Sequence, residues 1–145
     1  MLNPSHYRIL AVGKIKKDWI QKGLNVYLKR LPGLSISEIR DSNPQKEAEN
    51  IISKLRKDES IIALSEEYTT FSSIKFSEKL CGFGNQRLVF IIGGSNGIGQ
   101  ELKNIAQWKL SLSPLTFPHE IARLLLIEQI YRAQSILSKS PYHRY

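Results

Sequence analysis

Apolar residues recur along the chain in short runs separated by polar, glycine- and proline-marked turns, and their spacing alternates between strand and helix periods. Tyr7–Gly13 reads as a first strand. Asp18–Arg30 carries Trp19, Ile20, Leu24, Tyr27 and Leu28 at helical spacing, with Leu31 just beyond, which predicts a helix burying those residues. Leu34–Arg40 partly alternates, as a half-buried strand does. Asn43 offers an N-cap and Pro44 suits a first turn, so a polar helix should run to about Lys57. Ser60–Leu64 is a short apolar strand, and Ser72 or Ser73 caps a helix through Phe76 and Leu80 that ends near Gly82 and Gly84. Arg87–Ile92 (RLVFII) is apolar enough for the centre of a sheet. A glycine loop follows, then a helix to Trp108, a strand at Lys109–Ser113 and a turn at Pro114–Pro118. A long helix, His119–Leu137, precedes a polar tail, Ser138–Tyr145, that should add little to the core.

Strands alternating with helices indicate an α/β fold: a mostly parallel sheet of five to six strands with helices on both faces, built as one domain over residues 1–145. Ligands in such folds bind beyond the carboxyl ends of the strands. That directs attention to the loops after Ile92 and after Ser113.

Composition narrows the setting. One cysteine, Cys81, excludes an intramolecular disulfide and fits a reducing compartment, and no apolar run approaches the length of a membrane span. A cytoplasmic protein with no membrane partner is expected. The three histidines and the cysteine lie far apart in sequence, so no metal site is expected either. Net charge is +8, which favours a polyanionic partner through counterion release or serves solubility alone. The basic residues are scattered, apart from Lys14, Lys16, Lys17 and Lys22.

Gly93-Gly94-Ser95-Asn96-Gly97-Ile98-Gly99 follows the buried strand and opens a helix. Glycines there let the backbone approach a ligand and present amide donors at a helix N-terminus, or simply make a tight connection. The segment is also similar to the cofactor loop of short-chain dehydrogenases. In that family the loop follows the first strand and a catalytic tyrosine has a lysine four residues later. Here the loop comes late, and Tyr131 has Ser135 at that spacing.

Leu110-Ser111-Leu112-Ser113-Pro114-Leu115-Thr116-Phe117-Pro118-His119 alternates apolar side chains with hydroxyls between two prolines. It can wall an apolar slot whose backbone groups read a purine edge, or act as a rigid connection. The last helix is apolar nearly all round, which predicts burial by the core and by a second subunit. Glu128 and Arg132 interrupt it four residues apart, spaced to pair with each other or to serve a site. The tail Pro141-Tyr142-His143-Arg144-Tyr145 concentrates groups suited to base stacking and phosphate contact.

Together these segments resemble the RlmH-type ribosomal RNA methyltransferases of the SPOUT class over nearly the whole chain. The likeness rests on Leu88–Gly94 with Gly97, on Leu110–His119, on Ala122-Arg123, Glu128-Gln129 and Tyr131-Arg132-Ala133, and on terminal Pro141-Tyr142-His143-Arg144. Looser matches are Ala11–Lys14, Trp19, Tyr27–Arg30 and Phe71–Ser73. Ser95-Asn96 stands where the family usually has Pro-Glu, Tyr145 ends a tail that in the family often ends in an acidic residue or near the arginine, and Ile39–Glu47 is shorter and less basic than in many relatives.

The resemblance implies a C-terminal trefoil knot, a homodimer, and S-adenosylmethionine bound by Leu64, Gly94, Leu112, Ser113, Pro114, Leu115, Thr116 and Phe117. It implies transfer of a methyl group to N3 of a pseudouridine in large-subunit (23S) ribosomal RNA, on the assembled ribosome. Arg132 and Arg144 are then candidates for the cation beside a developing oxyanion. His143 is the candidate for proton acceptance or base orientation, Tyr142 for stacking, and Glu128 for holding Arg132. The competing reading is a non-catalytic RNA- or ribosome-binding protein of the same fold.

Overall fold

The computed structural model describes residues 2–145. A short 3-10 turn, Pro4–His6, leads into β1 (Tyr7–Val12), followed by α1 (Asp18–Leu28), β2 (Ser35–Ile39), α2 (Pro44–Lys54), β3 (Glu59–Thr70) and α3 (Ser73–Gly82). Then come β4 (Arg87–Ile92), α4 (Gln100–Ile105), β5 (Trp108–Ser111) and α5 (His119–Leu137). The five strands form one sheet in the order β2-β1-β4-β3-β5, and every pairing is parallel. β4 is the centre, as its unbroken apolar run requires: Leu88 through Phe90 are fully buried.

Alternation along the strands divides the core into two layers. Ile9, Ala11, Leu88, Phe90, Ile62 and Leu64 face α1, α3 and α5, meeting Ile20, Leu24, Phe76, Leu80, Leu126, Ile127 and Ile130. Leu10, Val12, Val89, Ile91, Ile61 and Ala63 face the other way, onto Ala48 and Ile51 of α2 and Leu102 of α4. Removing the Phe90 ring from the first layer would cost about 3–5 kcal/mol.

Three boundaries and one burial differ most from the sequence reading. β3 runs to Thr70 rather than stopping at Leu64, because the chain bulges between Leu64 and Thr69 and then pairs with β5 again. The polar Ser65-Glu66-Glu67 of that bulge masks the continuation. Trp108 opens β5 instead of closing a helix. It is buried because Phe71, Phe76 and Phe83 surround its ring at centroid distances of 5.4, 5.6 and 6.0 Å. Helix α2 ends at Lys54, where Leu55 turns extended, three residues before Lys57. Trp19 is 60% exposed: the buried stripe of α1 runs through Ile20 and Leu24, and its neighbour Trp19 points about 100° away from it. The N-caps behave as expected, Asn43 accepting from the Lys46 amide and Ser72, rather than Ser73, from that of Lys75.

Candidate active site

Because all strands are parallel, their carboxyl ends share one edge, and Leu64, Ile92 and Leu110 are in register there. The bulge of β3 at Leu64–Glu66 and the loops leaving β4 and β5 enclose a cavity of about 550 Å³ at that edge. Leu64, Gly94, Leu112, Ser113, Leu115, Thr116 and Phe117 all line it; Pro114 is not among the lining residues. Ser65 and Glu66, which the sequence reading did not single out, also line it, as do Ile98, His119 and Ala122, which stand in its motifs without an assigned role. Their signal was positional, since each stands next to, or one helical turn from, a residue already singled out. A smaller recess of about 280 Å³ shares the Leu112 and Phe117 wall.

The glycine loop is a turn, not the opening of a helix. The Gly97 amide donates to the Gly94 carbonyl at 3.0 Å, which makes Ser95 and Asn96 the central pair of a β-turn, both exposed. The substitution of this pair for Pro-Glu therefore falls at the outer tip of the loop. Gly97 takes φ +83°, and a Cβ on Gly93 would lie 2.7 Å from the Gly97 carbonyl oxygen. Gly99 lies against α2, with a would-be Cβ 2.7 Å from the Pro44 carbonyl oxygen. Helix α4 begins only at Gln100 and spans six residues, so the expectation of helix N-terminal donors at this loop is corrected. The glycines allow close packing.

Beneath the loop lies Glu47, buried and accepting from the Ser42 amide at 2.7 Å, with Asp41 beside it. Burial pushes its carboxyl above the ordinary range, and the Asp41 contact pushes the same way. The second loop is held by its hydroxyls. Ser111 Oγ donates to the Ser113 carbonyl at 2.9 Å, and Ser113 Oγ accepts from the Leu115 amide at 3.0 Å. Leu115, 70% exposed, forms an apolar lip. Pro118 caps α5, and His119 packs its ring against Gly13, where a Cβ would come within 3.0 Å of Nε2.

At the other end of α5 the tail forms a second cluster. Arg132 Nε donates to Glu128 Oε1 at 2.9 Å, and the Tyr142 hydroxyl donates to the same oxygen at 3.0 Å. Arg132 also reaches His143 Nδ1 at 3.1 Å, and its guanidinium stacks over the Tyr142 ring at 4.7 Å. Tyr27, which the sequence reading placed only in the core, lies with its hydroxyl 3.2 Å from that of Tyr142. Burial, then the bonds to Tyr27 and Glu128, raise the Tyr142 phenol well above its ordinary value. Glu128 raises the Arg132 guanidinium, holding its charge. Glu128, Arg132, Tyr142 and His143 are thus brought together, while Arg144 is exposed.

The tail is not the detached polar segment expected. Tyr142 packs edge-on against Tyr131 at 4.8 Å, and the Ser140 amide closes α5 on the Ser135 carbonyl. Within one protomer this cluster does not reach the cavity. The cavity touches α5 only in its first turn, at His119 and Ala122. Arg132 lies ten residues further on, about 15 Å along the axis.

Among the described residues no group of three or more His, Cys, Asp or Glu side chains is placed to hold a metal ion, and no helix is long and apolar enough to cross a membrane.

Comparison with known proteins agrees with this geometry. The chain matches the family described as predicted SPOUT methyltransferase over residues 6–143. It is 61% identical over 143 residues to the ribosomal RNA large subunit methyltransferase H of Synechococcus sp. (strain CC9605), covering 99% of each chain. Its identity to the protein of the same name from Prochlorococcus marinus (strain MIT 9211) is 56% over 144 residues, again with 99% of each chain covered. Among solved structures, a probable methylase family protein from Haemophilus influenzae Rd KW20 shares the fold at a TM-score of 0.62 and 13% identity, over 98% of this chain and 72% of that one. The SpoU methyltransferase AviRb from Streptomyces viridochromogenes shares it at 0.53 and 9% identity, over 94% and 62%. A parallel sheet with a glycine-turn cavity at its carboxyl edge, matched along almost all its length by these relatives, establishes that the chain belongs to the SPOUT methyltransferase family, in its RlmH-type branch.

Proposed function

We propose that the protein is an S-adenosylmethionine-dependent methyltransferase acting on ribosomal RNA, at N3 of a pseudouridine in the large subunit, and that it works in the cytoplasm as a homodimer. The observation that carries this reading is the cavity, where seven of the eight residues singled out for the cofactor meet at the carboxyl edge of β3, β4 and β5. The names of the large subunit methyltransferase H relatives support the RNA substrate.

The residues present suit the cofactor. A cavity of about 550 Å³ falls within the usual range for a bound small molecule. Leu64, Ile92, Leu112 and Phe117 offer apolar walls for an adenine ring, and Ser113 and Thr116 offer hydroxyls. The carboxylate of Glu66 favours a cationic ligand. When bound, S-adenosylmethionine supplies an activated methyl group on a sulfonium. The chain's own contribution is alignment of donor and acceptor, worth more than any single polar contact.

The tail's distance from its own cavity supports the homodimer, in which one protomer's tail completes the other's site. Half-buried apolar residues of α5 such as Leu125, Ile136 and Leu137 support it too. In that arrangement Arg132 and Arg144 supply positive charge beside the pyrimidine oxygen as N3 gives up its proton to solvent water and takes the methyl group. The guanidinium can only donate, so His143 Nδ1 accepts from Arg132, and a neutral imidazole then carries its proton on Nε2. That arrangement favours base orientation over proton acceptance. The knotted chain path is part of the same proposal, supported by a strand order in which β5 lies beyond β3 while α5 returns across the sheet to α1.

Titration calorimetry tests the cofactor. S-adenosylmethionine is expected to bind and NAD(P)H not to. Binding of NAD(P)H without S-adenosylmethionine, or of neither, would sink the proposal.

A further inference from the structure

The lysines that stand out in the sequence take no part in the cavity or the tail cluster, yet the fold presents them beside the cavity. β1 is hydrogen-bonded to β4, with Ala11 level with Ile92, so the segment after β1 emerges at the same edge as the glycine loop. A Cβ on Gly94 would lie 3.1 Å from Val12 Cγ1, and the Gly13 backbone packs against the cavity-lining His119. Lys14, Lys16 and Lys17 follow directly, all exposed.

Their backbone is held from beneath by charge. Glu120 Oε1 accepts from the amides of both Lys16 and Lys17 at 3.0 Å. Arg123, almost fully buried, donates to the Gly13 carbonyl at 3.0 Å and to Glu38 at 2.7 Å. Ile15 packs into the core between the lysines. Among the described residues none of the three ammonium groups has an ion-pair partner, whereas neighbouring Lys22 pairs with Asp18. A solubilising charge needs no such anchoring. A loop pinned by a buried carboxylate and a buried guanidinium, with its cations unpaired, is pre-organised to meet an anion and loses less on binding.

We infer that Lys14, Lys16 and Lys17 form a phosphate-contact surface, which grips the ribosomal RNA backbone next to the cavity and sets the approach of the target nucleotide. This rests on the ribosomal RNA reading above. The contacts are to phosphates and set position, not sequence.

The test compares wild type, the triple variant Lys14→Ala/Lys16→Ala/Lys17→Ala, and a control triple, Lys54→Ala/Arg56→Ala/Lys57→Ala, drawn from exposed positions at the opposite edge of the sheet. Affinity for large ribosomal subunits is measured from about 50 to 200 mM salt, alongside S-adenosylmethionine affinity and melting temperature. Three lost phosphate contacts should make the slope of log affinity against log salt shallower by roughly 2, with affinity about ten- to a hundredfold lower at low salt. Cofactor affinity and melting temperature should not move, and the control triple should keep the wild-type slope. Equal losses in both triples would reduce the effect to net charge and overturn the inference. So would a loop triple that binds and methylates like wild type, which leaves the ribosomal RNA reading standing. If wild type itself neither binds nor methylates large subunits, both fail together. A photo-crosslinker on Lys16→Cys, in a Cys81→Ser background, identifies the partner: capture of ribosomal RNA is expected, and capture of a ribosomal protein instead would overturn the inference.

Discussion

A methyl group added at Gly93 would meet the Gly97 carbonyl oxygen at 2.7 Å and its carbon at 2.8 Å, backbone atoms that cannot give way as the end of a flexible side chain could. Gly93→Ala must therefore open the turn, at a cost of about 1–3 kcal/mol. A lower melting temperature and at least tenfold weaker S-adenosylmethionine binding by calorimetry are expected; unchanged values would remove the turn from the site. The two buried carboxylates near the site predict opposite pH trends. The Lys17 and Lys16 amides hold Glu120 below its ordinary value, so its contribution is full above the ordinary carboxylate range and lost as pH falls through the lowered value. Glu120→Gln should flatten the acid limb of the melting profile. Glu47 is raised by burial, so its contribution is full below the ordinary value and lost as pH rises through the raised one. Glu47→Gln keeps an acceptor for Ser42 and should gain stability over wild type as pH climbs from that range; a constant difference would refute the assignment. At this scale the sequence was informative where chemistry forces a residue type. The glycine turn and the Ser111–Ser113 hydroxyls of the second loop stand in motifs the sequence shows, whereas Glu47 and Glu120 could not be found, because nothing local says which carboxylate a distant backbone amide will meet.

Elements show the same division. Strand β4 was legible from RLVFII, and α5 from its length and apolarity. The second half of β3 was not, because Ser65–Thr70 is polar and its pairing with β5 is a tertiary fact. The tail's chemistry was visible, but not its packing. Tyr142 lies against Tyr131 and Arg132, so deleting Pro141–Tyr145 should lower stability through the lost aromatic contact, worth about 0.5–1.5 kcal/mol. Point variants separate packing from chemistry more cleanly. His143→Ala and Arg144→Ala should lose roughly 100- to 1,000-fold in methyl transfer, about 2.7–4 kcal/mol, at nearly unchanged melting temperature and cofactor affinity. Rates within a few-fold of wild type would take the tail out of the site.

For the whole molecule, composition and periodicity were enough for an α/β fold with a mostly parallel sheet, since strands buried on both faces must be covered on both. The order β2-β1-β4-β3-β5 was not readable, because a buried strand's sequence records that it has neighbours and not which ones. The disjoint cavity and tail support the proposed homodimer. Light scattering should give about twice the chain mass of 16.6 kDa at micromolar concentration. Coexpressing an Arg144→Ala protomer with a Gly93→Ala protomer should restore part of the activity each homodimer lacks, through the one mixed site that keeps both an intact cavity and an intact tail. Nucleoside mass spectrometry tests methyl transfer to a large-subunit pseudouridine most directly. Large ribosomal subunits lacking the mark are incubated with the purified protein and S-adenosylmethionine carrying a labelled methyl group, and the RNA is then digested. One labelled methylpseudouridine is expected, present with wild type and nearly absent with Arg144→Ala. Saturating cofactor and enzyme with no label in the RNA, or label on a different base, would contradict the proposed transfer.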